Sequence, residues 1–265
     1  MRATWCRSVY RGAVAAALDL PRSVLLALWL ALPGDTDRLV AAVQADDEPH
    51  RVDAEGEELT LREWVRWLGA PVDEVAAVLP VPGEPVAAPP PVSHDAVEAG
   101  ECVLLRAGAR TLAAVPHVER FGSELEPGHL VTWRAAPVPD WRTAAWAQVG
   151  TLEEAERGLR QGLLTATEAL VSLGVERWRP DAADAIADVR DGALPERRLP
   201  RGVEGQRLRV LSSAARLRGI VALATQDDGG AVNTWQAVQR STALREVDRG
   251  ARRAMAAAAT YLTRP

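Results

Sequence analysis

Two sets of side chains in this 265-residue chain have the types and spacing to do chemistry. The first is six arginines towards the C-terminal end: Arg209 and Arg216, then Arg245, Arg249, Arg252 and Arg253. On a helical wheel the last four fall opposite Leu244, Val247, Ala251, Met255, Ala258 and Leu262. The first two fall opposite Val210, Ala214, Leu217 and Val221. The apolar sides belong in a bundle, which turns the guanidiniums towards solvent or a partner. A planar, permanently charged guanidinium suits phosphates and carboxylates. The chemistry on offer is therefore contact with a nucleic-acid backbone or with an acidic protein surface. The competing reading is internal: a solvated face that also complements acidic residues elsewhere in the chain. Glu246 and Asp248 dilute the basic stretch, and no helix-turn-helix, zinc-finger or RNA-binding signature accompanies it.

The second set is His117, His129 and Trp141. If the strands that carry the two histidines pair, the imidazoles can approach each other, and with Trp141 they outline a ligand pocket between sheet and helices. Their spacing matches no metal-ligand pattern. Asp184 and Asp188 share a helical face, as surface carboxylates commonly do, and Asp227-Asp228-Gly229-Gly230 lacks the alternating ligands of a cation loop. The chain has no GxxxxGK[ST], no GxGxxG after a strand, no GxSxG and no HExxH. No catalytic residue, metal or cofactor is assigned on this basis, and the balance leans away from an enzyme.

The elements that must position these residues read as follows. Asp19 and Pro21 can start a helix whose Val24–Leu32 stretch is apolar nearly all round, as a central helix is, and Pro33-Gly34 stops it. Asp35 or Thr36 caps a second helix ending near Ala45. Residues 50–60 form a hairpin turning at Glu55-Gly56. Thr60 and Glu63 make a capping box at the start of a helix to Leu68, and Pro71 opens another to about Leu79. Residues 80–92 hold six prolines and read as a polyproline-like connector or as an ordered strap laid across a surface. Strands are expected at 101–106, 110–117 and 129–138, in meander order and joined by the earlier hairpin. Trp141 and Trp146 lie in a connector that locks sheet to bundle. Thr151 and Glu154 repeat the capping box before the clearest amphipathic helix, 152–173. A short helix over 181–189 follows, then helices over 204–226 and 231–263, hinged at Gly229-Gly230.

The fold class this predicts is α+β: a helical N-terminal part, a small antiparallel β-sheet in the middle and a C-terminal α-helical bundle. Residues 1–140 and 150–265 are the two expected domains. The charge is divided along the same line. Residues 1–196 carry 18 Arg against 31 acidic side chains, and the remainder carry 13 Arg against 5. All 31 basic residues are Arg, consistent with a GC-rich coding sequence. Two isolated thiols, Cys6 and Cys102, form no disulfide framework and suit a reducing cytoplasm. The apolar stretch at 24–32 is far shorter than the ~20 residues a membrane span needs, so the expectation is a cytoplasmic protein away from membranes.

The segments RFGSELEPGHLVTW (120–133) and LRVLSSAARLRGIVALATQDDGGAVNTWQAVQRSTALREVDRGARRAM (208–255) resemble the middle and the end of a group of uncharacterised actinobacterial proteins with no assigned function. That resemblance carries no site residue over. The leading reading is a non-enzymatic regulatory or scaffolding protein acting through protein–protein contacts, with itself as a possible homodimer or with another protein. The alternatives are a nucleic-acid-associated protein using the six arginines, and a small-molecule-binding protein or enzyme with its site between sheet and bundle.

Overall fold

The computed structural model describes residues 18–69, 71–84, 87–123, 126–172, 188–225 and 234–263. Cys6, Asp184, most of the short helix expected over 181–189, and the Gly229-Gly230 hinge fall outside these residues.

Helix α1 (Arg22–Ala31) is the apolar rod that its composition implies, with Val24, Leu25, Leu26, Ala27 and Leu28 wholly buried. It lies along strands β3 (Val72–Val78), β4 (Cys102–Ala107) and β5 (Arg110–Gly122). Helix α2 (Thr36–Gln44) packs beside it and is capped by the Asp35 carboxylate, which accepts from the Asp37 N–H at 3.0 Å. Helix α3 (Leu61–Trp67) starts on the expected capping box: Glu63 N–H donates to Thr60 Oγ1, and Thr60 N–H donates back to the Glu63 carboxylate. The hairpin of β1 (Arg51–Ala54) and β2 (Glu57–Thr60) turns at Glu55-Gly56, both at positive φ.

The sheet is larger than a three-strand meander. Its order is β2-β1-β6-β5-β4-β3, where β6 is Pro127–Pro137, and every pairing is antiparallel except β1 with β6. It is therefore a six-stranded mixed sheet, not a small antiparallel one: the expected hairpin joins it as β1 and β2, and β3 comes from a segment expected to be helical. The largest departure is β3. Pro71 and an alanine-containing run fit a helix start, but Val75–Val78 are buried throughout, flanked by β4 and covered by α1. A short apolar run buried on both faces carries no period that separates strand from helix.

The Pro-rich segment is the strap, not a free connector. Val81 and Glu84 exchange backbone hydrogen bonds, Ala87 and Val92 are buried, and the Ala87 N–H donates to Gln148 Oε1. Two helices were hidden by their neighbours: α4 (Ser93–Ala99), behind the prolines, and α5 (Arg142–Val149), in the expected connector. Helix α6 (Leu152–Ser172) opens on the second capping box, Thr151 with Glu154. Helix α8 (Thr234–Ala258) packs against both α6 and α7 (Gly205–Thr225).

Helix α8 stops at Ala258 rather than running to 263. Its last carbonyls are taken by Arg207, whose Nη1 donates to the carbonyls of Ala257, Ala258 and Thr260. The guanidinium also stacks 4.0 Å over the Tyr261 ring. Tyr261 then pairs with Val75 on the outer edge of β3. Beyond it, the Thr263 N–H and hydroxyl donate to Glu74, a carboxylate only 2% exposed that also accepts from Arg106. One hydrophobic cluster runs from α1 through the sheet into α7 and α8.

Candidate functional site

The two histidines expected to meet do not. In the β5–β6 register His117 pairs with Thr132 and His129 with Arg120. Three rungs separate them, roughly 10 Å along the strand, and an odd separation puts them on opposite faces. His117 faces α4, with Nε2 3.7 Å from the Asp95 carboxylate. His129 faces the turn that follows α2 and places Nδ1 3.2 Å from Asp47 Oδ1. Trp141 is buried elsewhere, at the start of α5 beside the strap.

Asp47 is the hub of a polar cavity, a space of about 630 Å³ lined in part by Arg22, Glu101, His129, Arg198 and Arg218. Its Oδ2 accepts from Arg22 Nε at 2.8 Å and lies 3.2 Å from His50 Nε2. On the other side of the His50 ring, Trp133 Nε1 approaches Nδ1 at 3.1 Å. Indole nitrogen only donates, so His50 Nδ1 accepts, and Nε2 carries the proton donated to Asp47. The ring is thus neutral with a defined tautomer. Burial holds its pKa down at about 4, against the partial counter-pull of Asp47. Burial also raises the Asp47 carboxyl, but the bonds from Arg22 and His50 outweigh it and leave the pKa below the usual value. Glu101 goes the other way: burial pushes it up despite the 2.7 Å bond from the Ser23 N–H. Arg198 donates to the carbonyls of Ala42 and Val43 and so satisfies the end of α2. Sequence reading missed Asp47, His50 and Arg22. The only local trace was the Asp47-x-x-His50 spacing; the rest of the network depends on β1 lying parallel to β6.

The six arginines have divided fates. Arg252 is buried: Nη2 donates to Glu84, Nε to Asp248 and Nη1 to the Leu79 carbonyl. Arg249 is half exposed and bridges Glu84 and Glu246. Arg253 donates to the Val149 carbonyl, and Arg216 to the Gly192 carbonyl. Among the described residues, Arg209 is exposed with no recorded polar contact, and Arg245 bonds only to Ser241 of its own helix.

The outer half of the β5–β6 hairpin is a distinct surface. β4 pairs with β5 only over 110–114, and β1 with β6 only over 132–135. Beyond those limits, among the described residues, the two strands pair with each other alone out to Gly122 and Pro127, apart from one bond from the Glu48 N–H to the His129 carbonyl. On this ribbon Phe121 is 44% exposed and Leu130 47%, and strand alternation puts them on one face. The Phe121 ring lies over Gly128, where a Cβ would come within 2.4 Å of it, so a side chain there would push the ring aside.

Among the described residues, no group of three or more His, Cys, Asp or Glu is placed to hold a metal ion, and no helix is long and apolar enough to cross a membrane. No curated protein and no solved structure matches the chain. Two family models do. The N-terminal domain of Rv1486c-like proteins matches residues 23–148, which contain the sheet, the Asp47 hub and the ribbon; the C-terminal domain of the same proteins matches residues 153–256, which contain the arginine-bearing helices. With both domains present in order, the chain belongs to the uncharacterised family of Rv1486c-like proteins.

Proposed function

We propose that this chain is a non-enzymatic scaffolding or regulatory protein of the cytoplasm, that it acts through protein–protein contacts, and that its first partner is a second copy of itself. The observation that carries this reading is the β5–β6 ribbon. Unpaired strand edges are templates for another strand, and this ribbon has two, with Phe121 and Leu130 side by side on one face. Two ribbons related by a two-fold axis would present the same patch to each other. The buried free thiol of Cys102 is in keeping with the compartment. The placing of the family's two domain models supports reading 1–140 and 150–265 as two units of one scaffold. The nucleic-acid alternative draws support only from Arg209 and Arg245, since the other four guanidiniums are engaged within the molecule.

The test is the mass in solution of the purified protein, by light scattering, against the Phe121→Ser/Leu130→Ser double variant. The expected result is a dimer at about 100 μM, a concentration that saturates even a micromolar interface, and a monomer for the variant with unchanged circular dichroism. A monomeric wild-type protein at that concentration overturns the reading.

A further inference from the structure

The polar cavity around Asp47, about 630 Å³, has a closed side and an open one. The closed side is the Asp47 network. Its Oδ2 is taken by Arg22 and His50 and its Oδ1 by His129, so these groups satisfy one another. The open side is Arg198 and Glu101. Both line the cavity, yet among the described residues no carboxylate forms an ion pair with Arg198 and no cation forms one with Glu101. Other charges reach them only through space: Asp19, Asp47 and Asp46 draw on Arg198, and Arg22 and Arg218 on Glu101.

Each of the two is clamped from behind and free in front. Arg198 spends Nε and Nη2 on the carbonyls of Ala42 and Val43, at 2.8 and 3.5 Å. Its Nη1, a nitrogen with N–H donors of its own, has no partner among the described residues and is not sealed by them. Glu101 rests Oε2 on the Ser23 N–H at 2.7 Å, beside the Ser23 hydroxyl, and leaves Oε1 open. Burial works against both charges: it raises the pKa of the Glu101 carboxyl and lowers that of the Arg198 guanidinium. Opposite charges that share a desolvated space gain by pairing. Here backbone contacts hold each at its own wall instead, and a cleft with convergent, desolvated ionisable groups is where a ligand binds.

We infer that this cavity binds a small zwitterion, whose carboxylate meets Arg198 Nη1 and whose ammonium meets Glu101 Oε1. Such a ligand neutralises both groups at once. The two are already oriented, so little ordering offsets the gain. A ligand of one sign satisfies one wall and leaves the other charge without a partner. No Trp, Tyr or Phe occurs among the described residues of the lining, so the two head groups, and not a stacked ring, set the selectivity. Every group named belongs to one chain, and the site does not depend on dimerisation.

The test is calorimetric titration of the full chain with glycine, β-alanine, γ-aminobutyrate and δ-aminovalerate, a series that scans the separation of the two head groups. The alkylamine and the alkanoate of matching length are titrated beside each. One member of the series is expected to bind, and its two single-charge counterparts to bind about tenfold or more weakly, the worth of one charge-assisted hydrogen bond. Glu101→Gln, which keeps an acceptor for the Ser23 N–H, removes the preference over the alkanoate. Arg198→Gln removes the preference over the alkylamine. Circular dichroism checks the fold of both variants, and if either folds poorly the wild-type comparison decides alone. No binding of any member up to about 10 mM, well above a millimolar Kd, overturns the inference. So does an alkylamine or alkanoate that binds as tightly as the matching zwitterion, or an unchanged preference in folded Glu101→Gln.

Discussion

The Asp47 and Glu84 networks solve the same problem with different cations. Each carboxylate gathers positive or donor groups from segments far apart in the chain, and each is held below its ordinary pKa. Asp47 is 11% exposed and relies on Arg22, His50 and His129. Glu84 is 24% exposed and relies on Arg249, chiefly, and on Arg252. The consequence is a difference in conditional stability. Guanidiniums stay charged at any pH the protein meets, whereas an imidazole can change state near neutrality. The sheet end therefore carries an acid-sensitive joint, and the helical end one whose cations keep their charge over the same range.

The largest effect that separates the two is removal of the hub itself. Asp47→Ala leaves a guanidinium and a fully buried imidazole without their acceptor, and is expected to cost about 3–5 kcal/mol in urea unfolding. Glu84→Ala leaves Arg252 its bonds to Asp248 and Leu79 and is expected to cost about 1–2 kcal/mol. Equal costs would break the comparison. Next in size is acid. His50 has a folded pKa of about 4 against 6.5 when unfolded. Its contribution is complete above pH 6.5 and is lost as pH falls towards 4, by about 3 kcal/mol. A His50→Gln variant should lack that slope, while Arg249→Ser should keep it. If the slope persists without His50, the acid-sensitive joint lies elsewhere. The smallest effect serves as a control on local structure. Thr60→Ala and Thr151→Ala each remove one half of a capping box and should each cost about 1 kcal/mol. One box lies in each half of the chain, so unequal costs would show that one half is tied down more loosely.

What could be read from the sequence was what depends on near neighbours. Both capping boxes, the Asp35 cap, the Glu55-Gly56 turn, the all-round apolar α1 and the strands of the β4–β6 meander rest on residues a few positions apart, and the structure has them. What could not be read depends on tertiary partners. β3 is a strand because β4 and Tyr261 flank it. α8 ends where Arg207 takes its carbonyls. For the candidate sites, the wheel turned all the arginines of α8 outward, whereas Arg252 is buried, and it could not name Glu84, 165 positions away from Arg249, as the acceptor that Arg249 and Arg252 share. His129 was singled out, but its partner is Asp47, brought to it by the parallel pairing of β1 with β6.

The pairing of Tyr261 with β3 has a consequence for how the protein is made. The two ends of that contact are far apart: Thr263 and Glu74 are 189 positions from one another. During synthesis β3, with its Val-Ala-Ala-Val run, has no partner on its outer edge until almost all the residues described here have left the ribosome. Closing so long a loop is slow, and an apolar open edge is a surface on which nascent chains stick together. The seam that completes the sheet therefore waits on residues synthesised long after β3, and until they pair the outer edge of β3 stays open.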